Sequence, residues 1–366
     1  MKEHTYLKLT DIHLFHRLVK TELMVSNLYW FMDKYNKEIS AVDIIYIAGD
    51  IFDRLMDLGT PESTQILTWM RDFALYCKRN NIILRVLNGT RSHDFNQGSK
   101  FTVFSEGMDL KYIDTLHIEH IESLDLNVLY VPDEWRSKGS DTFIEVKKLL
   151  AEKGLSKVHT TILHGAFPFS LPFLSEAHHL EEDYLSITEH YIDVGHIHQY
   201  NTYERIISGP SFDRLSHGDD ADKGCVLSFI SDTKKDAQRL LVNDRATLFK
   251  TVTVTKETSI ESLRSKIERV IKNNTEGLDL HIRIKTLKYA YLSDIYTSIK
   301  NMYPNIHFIK TLINEEKKNS VPISFSEYSA TSITKDNLVP EFTKYLSNVA
   351  EKEDILCTLG TIITEN

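Results

Sequence analysis

Apolar and polar positions alternate between two periods over the first 245 residues. YLKLT (6–10), DIIYIAGD (43–50), IILRVLNG (82–89), LNVLYVP (126–132) and HTTILHG (159–165) have the length and β-branched content of buried strands. Helical spacing separates them. It runs from about Arg17 to Lys37, from the Thr60-Pro61 cap to about Arg79, and near 141–153. YIDVGHIH (191–198), ERIISG (204–209) and GCVLSFI (224–230) read as further strands. This alternation predicts a layered α/β domain over 1–245.

The texture changes near 246. TLFKTVTVT (247–255), a helix over 258–273, LDLHIRIKT (278–286), a helix near 292–301 and IHFIK (306–310) form a β-α-β-α-β string. That predicts a small α+β domain over 246–313. A polar stretch, Asn314 to Ser320, opens the segment 314–366. Within it, 337–349 has helical spacing at Leu338, Phe342, Tyr345, Leu346 and Val349. Such a stripe suits a groove on a partner protein, or packing on its own chain.

Composition narrows the classes. With 366 residues, 42% hydrophobic and 26% charged, the chain can bury the cores of two or three domains. No apolar run approaches the ~20 residues of a membrane span. The N-terminal MKEHTYLKLTDIHLF lacks a signal-peptide core, and the three cysteines form no CxxC pair. A reducing cytoplasm is expected, that of the host if the chain is viral, with neither a disulfide framework nor a thiolate zinc site. A net charge of −9 does not advertise a nucleic-acid binder, which usually has a basic balance, and does not exclude one, because divalent ions at a phosphate site add positive charge that this count ignores.

Candidate chemistry collects where predicted strands end. Asp11 follows the first strand, Asp50 the second, His93 and Asp94 the third, His164 the fifth, and His196 and His198 the next. Open α/β sheets place ligand sites beyond the carboxyl ends of strands. Carboxylates mixed with imidazoles suit manganese, iron or zinc better than calcium or magnesium. The supply exceeds a closed four-ligand zinc site and fits two ions ~3.5–4 Å apart that share a carboxylate, polarise a phosphate and activate a water. Asp53 reads as a residue that orients a metal ligand or caps a turn. Arg91 reads as a phosphate contact or a plain surface arginine. Phe167, Phe169 and Phe173 suit either base stacking or the core. His178 and His179 read as a solvated face of a helical acidic insert rather than as ligands, and His16, on the helix after Asp11-x-His13, as surface decoration ahead of a contact to a substrate phosphate. Leu23, Leu28, Trp30 and Phe31 offer a dimer face or core packing.

The set Asp11-x-His13, Gly49-Asp50, Ser92-His93-Asp94, His164-Gly165 and Gly195-His196-x-His198 resembles the calcineurin-like metallophosphoesterases. SGPSFDRLSHGD (208–219), followed by Lys223-Gly224, is similar to the corresponding segment of SbcD-type nucleases, the nuclease subunit of the double-strand-break repair complex. The compact length is similar to that of phage exonuclease subunits. The resemblance covers about residues 1–230 by motif, and the small domain by layout alone. It implies a calcineurin-like metallophosphoesterase sandwich of layered sheets flanked by helices, then an α+β capping domain that binds DNA, then a helical tail. It further implies that Asp11, His13 and His198 hold one metal, that Asp50 bridges, and that His164 and His196 hold the second. His93 would act unligated on the phosphate or the leaving oxygen, with Asp53, Arg91 and Asp94 supporting the site. The family's GNHD gives an Asn to the second metal. Here Ser92 stands before the His, with two extra residues after Gly89. Ser92 Oγ, a backbone carbonyl or Asn88 is therefore expected in that role.

The implied activity is a 3′-to-5′ double-strand exonuclease and single-strand endonuclease that uses a two-metal-activated water. It would take two divalent ions, manganese first, with magnesium, iron or zinc as others. The implied partners are DNA, an SbcC-like coiled-coil ATPase of SMC type docked by residues beyond about 320, and a second copy through the nuclease domain. The implied setting is DNA end processing, recombination and repair. The competing readings are a phosphodiesterase or phosphatase on small substrates and a catalytically impaired DNA-binding subunit.

Overall fold

The strand His4–Leu9 shows how the layers arise. Successive side chains of an extended chain point to opposite faces. Leu7 and Leu9 enter one core with the helices Thr21–Lys34 and Pro61–Arg79, and Tyr6 enters another between two sheets. Both faces are buried, so such strands read as nearly continuous apolar runs. The computed structural model describes residues 3–312 apart from 134–137, 172–174, 176–177, 255–258, 275–278, 287–292 and 305. The segment 314–366, with the predicted helix at 337–349, lies outside the described residues.

Two six-stranded mixed sheets face each other, flanked by helices. The first runs in the order Ala237–Val242, Gly224–Ile230, His4–Leu9, Ile44–Ala48, Ile83–Leu87 and Leu110–Ile113. Its last four strands are parallel, and His4–Leu9 pairs antiparallel with Gly224–Ile230. The second runs His117–Ile121, Leu126–Val131, Thr160–His164, Ile192–Gly195, Ile206–Ser208 and Asn201–Tyr203. Helices Gly139–Glu152 and Glu181–Ile187 cover its outer face through Phe143, Val146, Tyr184 and Ile187.

Two ion pairs cross the middle layer. Lys8 and Asp193, both fully buried, meet at 2.9 Å, and Tyr6 donates to the same carboxylate at 2.5 Å. Arg85 holds Glu119 through two parallel hydrogen bonds of 2.8 and 2.7 Å. Each pair joins one sheet to the other and penalises a slipped register, because a slip would strand a buried charge.

The helix expected over Arg17–Lys37 is instead Thr21–Lys34 followed by a short turn, Asn36–Ile39. His16 explains the late start. Its Nδ1 accepts the N–H groups of Leu18 and Val19, which holds a turn ahead of the helix. Leu28 and Phe31, offered as part of a dimer face, belong to the core, whereas Leu23 and Trp30 are partly exposed. In the small domain Leu248–Thr253, Leu280–Thr286 and His307–Leu312 pair parallel in chain order. Parallel neighbours need crossover connections. The helices Ile260–Asn274 and Ser293–Met302 supply them, so the expected α+β string is a βαβαβ unit with its own core around Val252, Leu263, Ile267, Ile282 and Ile299.

Candidate metal centre

The strands His4–Leu9 and Ile44–Ala48 of one sheet end beside Thr160–His164 and Ile192–Gly195 of the other. Backbone bonds lock the exits together: Asp11 N–H to Gly49 O at 3.1 Å, His13 N–H to Asp50 O at 3.0 Å, and Gly165 N–H to Gly195 O at 3.2 Å. Asp11, His13, Asp50 and His196 all have positive φ, at 50°, 52°, 49° and 103°. Non-glycine residues in this region cost of order 1–3 kcal/mol each and collect at functional sites. Glycines permit the close approach. A Cβ on Gly49 (φ 87°) would lie 2.2 Å from His164 Nδ1, and one on Gly195 would lie 2.1 Å from Thr10 Oγ1.

Two donor clusters result. Asp11, His13 and His198 converge in the first, where the two Nε2 atoms stand 3.0 Å apart and His198 Nε2 lies 3.6 Å from Asp11 Oδ1. Asp50, His164 and His196 converge in the second. Asp50 lies between them, with Oδ1 3.4 Å from His164 Nε2 and Oδ2 3.9 Å from His13 Nε2. A third grouping, His13, Asp53 and His93, adjoins the first cluster.

The surroundings aim these atoms. His164 Nδ1 faces Ala48 O at 2.7 Å, which leaves Nε2 for the cluster. Asp53 Oδ1 lies 3.3 Å from His13 Nδ1. Asp94 is buried and accepts the N–H groups of Phe52 and Gly89 at 2.9 and 2.7 Å, so it ties together the two loops that carry Asp50 and Thr90. Thr10 donates to Asp11 Oδ2 at 2.6 Å, and the His196 N–H reaches both Asp11 oxygens at 3.1 and 3.0 Å. Lys223, also buried, holds the His198 carbonyl at 2.6 Å.

Electrostatics match a cation site. Burial pushes His164 down, but the Asp50 carboxylate beside it outweighs burial and raises it to about 10. Burial would raise Asp50, yet His164 holds it well below the usual carboxylate range. His13 is raised against its burial by Asp53, Asp11 and Asp50. Burial, with His164 adding to it, drives His196 down to about 4, and burial lowers His198. Binding a divalent cation to these carboxylate and imidazole donors would displace protons from the imidazoles. Mixed imidazole and carboxylate donors, converging and partly buried, fit a transition-metal ion.

Position 92 departs from expectation. Ser92 is exposed on the Arg91–Asp94 turn, and Thr90 faces the second cluster instead. The Thr90 hydroxyl lies 3.2 Å from Asp50 Oδ2, 3.3 Å from His164 Nε2 and 3.4 Å from His196 Nδ1. The Thr90 N–H donates to Asp50 Oδ1 at 2.6 Å. The two extra residues are spent in the helical turn that begins after Thr90, so counting forward from Gly89 finds the facing residue and counting back from His93 does not. Asn88 does not fold back, because its Oδ1 accepts from Tyr112 at 2.8 Å. His93 packs edge-on against His13 and faces Asp53 O with Nδ1 at 3.2 Å, leaving its ring 38% exposed. Arg91 is exposed.

His178 and His179 are buried rather than solvated, and they precede the helix Glu181–Ile187 instead of riding on one. His179 packs against Phe167 and Tyr184. Phe167 is core, Phe169 stacks on Tyr203 at 5.5 Å, and Phe173 lies outside the described residues. Thr10, Thr90 and Lys223 are the site residues that sequence reasoning did not assign. Thr10 carries no signal in spacing or composition.

No family model matches this chain, and no curated protein does. Among solved structures, TT1561 of Thermus thermophilus is 11% identical, with 65% of this chain and 99% of that chain covered and a TM-score of 0.37. A second crystal structure is 12% identical with the same coverage and a TM-score of 0.38. Likeness at this level carries no argument about family or activity. Among the described residues no helix is long and apolar enough to cross a membrane. What the chain itself contributes is a pair of Asp/His clusters, joined by Asp50, that could hold metal.

Proposed function

We propose that this chain is a divalent-metal-dependent phosphodiesterase of the calcineurin-like type, acting on DNA as an SbcD-like nuclease subunit. The observation that carries the reading is the Asp50 carboxylate set between two imidazole-rich clusters, one with Asp11, His13 and His198 and one with His164 and His196. Divalent ions held there, manganese first, would polarise a phosphate and activate a water. The chain's own residues do the rest. Asp53 fixes the His13 ring, Thr10 and the His196 N–H fix Asp11, and Asp94 fixes the loops around Asp50. His93 is the exposed imidazole beside the first cluster. With Nδ1 turned to the Asp53 carbonyl, its Nε2 is left to hydrogen-bond a phosphate oxygen or pass a proton to the leaving oxygen.

A polymeric substrate is favoured by the neighbouring cleft of about 520 Å³, which is lined by Arg17, Lys20 and Arg54 against Glu22 and Glu62 and runs to the strand His307–Leu312. Cations along a cleft suit a phosphate backbone, although the net charge of −9 leaves most of the grip to a partner. An SbcC-like ATPase docked by residues beyond about 320 is the partner proposed, and a second copy would pair near the groove of Tyr29, Leu75 and Tyr76. A small-substrate reading has one observation in its favour, a pocket of about 360 Å³ beside His164 and His196.

Manganese-dependent digestion of linear duplex DNA, with and without the ATPase and ATP, decides between them. DNA degradation stimulated by the ATPase and lost in Asp50→Asn supports the proposal. Hydrolysis of a chromogenic phosphodiester with DNA untouched in every combination refutes it. Unchanged activity after exhaustive chelation would refute any metal-dependent scheme.

A further inference from the structure

The small domain assembles a second set of metal-type donors, away from Asp50. His281 and His307 are register partners on neighbouring parallel strands, and Phe249 pairs with His281 on the other side. The three rings stack as a ladder, Phe249 to His281 at 4.7 Å and His281 to His307 at 4.4 Å with 11° between their planes. Asp279 is two residues before His281 and so lies on the same face of an extended chain. Its Oδ2 is 3.0 Å from His281 Nε2 and its Oδ1 3.9 Å from His307 Nε2. One donor atom from each of the three lies within 4.8 Å of the others.

Those separations suit one ion. A tetrahedral zinc with bonds of about 2.0–2.1 Å sets its ligands about 3.3 Å apart. The observed 3.0 and 3.9 Å, to Asp279 Oδ2 and Oδ1 respectively, lie near that value, and the stacked imidazoles, 11° from parallel, would have to turn out of the stack to aim both Nε2 atoms at one ion. A hydrogen-bonded histidine ladder without metal accounts for less. In it Asp279 satisfies His281 Nε2, while His307 Nε2 stays buried with no hydrogen-bond partner. A buried polar atom left unpaired costs about 1–3 kcal/mol. The Asp279 and His281 side chains are 5% and 2% exposed and His307 is 36% exposed, so two donors are buried and the third faces the cleft.

We propose that Asp279, His281 and His307 bind a single divalent transition-metal ion of the zinc class, independent of the Asp50 clusters. Two imidazoles and one carboxylate make a three-ligand set with a fourth position open. His281 and His307 line the cleft whose other wall includes Phe15, His16 and Lys20, so the open position is reachable from solvent. Bound there, the ion would tie two strands of the small domain at one end.

The test is metal counting on the full chain, loaded with Zn²⁺, dialysed and measured by inductively coupled plasma mass spectrometry. The wild type is expected to retain one more ion per chain than His307→Ala, and zinc affinity at this site to fall at least about 100-fold. His307 is partly exposed, so this variant should fold. Asp279→Asn is nearly isosteric and decides the matter if His307→Ala melts early. Asp50→Asn must leave the His307-dependent ion in place. This separates the two readings, since loss of the Asp50-dependent ions leaves this one untouched. Equal zinc content in wild type, His307→Ala and Asp279→Asn would overturn the proposal.

Discussion

Thr90→Val is the sharpest test of the second cluster. Valine keeps the β-branched shape and the backbone N–H that reaches Asp50 Oδ1 at 2.6 Å. It removes only the hydroxyl, which lies 3.2 Å from Asp50 Oδ2, 3.3 Å from His164 Nε2 and 3.4 Å from His196 Nδ1. A group at the hub of three donors either joins the coordination or orders it. Losing such a group lowers metal affinity about 10–100-fold, or roughly 1.4–2.7 kcal/mol. The fold of the metal-free protein should be unaffected, because Thr90 is only half-buried and heads a short turn. The assay is manganese titration against a competing chelator, paired with the manganese concentration that half-activates hydrolysis of a chromogenic phosphodiester. Both should rise about 10–100-fold in Thr90→Val, and Thr90→Asn should restore them by offering an amide oxygen. Ser92→Ala should change neither, since Ser92 is exposed. An unchanged midpoint in Thr90→Val with a weakened one in Ser92→Ala would refute the placement.

Two further outcomes are expected. In chelator, His164 carries a folded-state value of about 10 against roughly 6.5 unfolded, so its contribution is complete below about 6.5 and is lost as pH rises towards 10. The wild type should therefore lose stability between pH 7 and 10 more steeply than His164→Gln, by at most about 1.4 kcal/mol per pH unit for one proton. Parallel slopes in chemical denaturation at several pH values would contradict this. Lys8→Met should cost about 3–5 kcal/mol by leaving Asp193 charged and buried, and adding Asp193→Asn should recover most of it. Additive losses in the double variant would mean that the pair is not coupled.

The order of strands and helices was legible because the central strands are buried on both faces and write themselves as unbroken apolar runs. Among the described residues, every strand that was missed is an edge strand: Ala237–Val242, Leu110–Ile113, His117–Ile121 and Asn201–Tyr203. An edge strand needs no continuous apolar run, so its sequence is quieter. The ligand types were legible for a related reason. Asp11, His13, Asp50, His164, His196 and His198 each follow a recognisable strand, and strand ends in such sheets converge.

Tertiary structure alone decided the rest. Which donors share a cluster depends on how two sheets face each other, a relation set by pairs such as Lys8–Asp193 that lie 185 residues apart in the chain (193 − 8). Thr90 rather than Ser92 meets the second cluster because two inserted residues form a helical turn after it. Nothing in their side chains announces that turn. The histidines at 281 and 307 belong to separate strands, and only parallel pairing in register brings them face to face over Asp279. Sequence periodicity reports which face of an element is buried. It does not report which buried faces meet, and metal-type donor sets are made by that meeting.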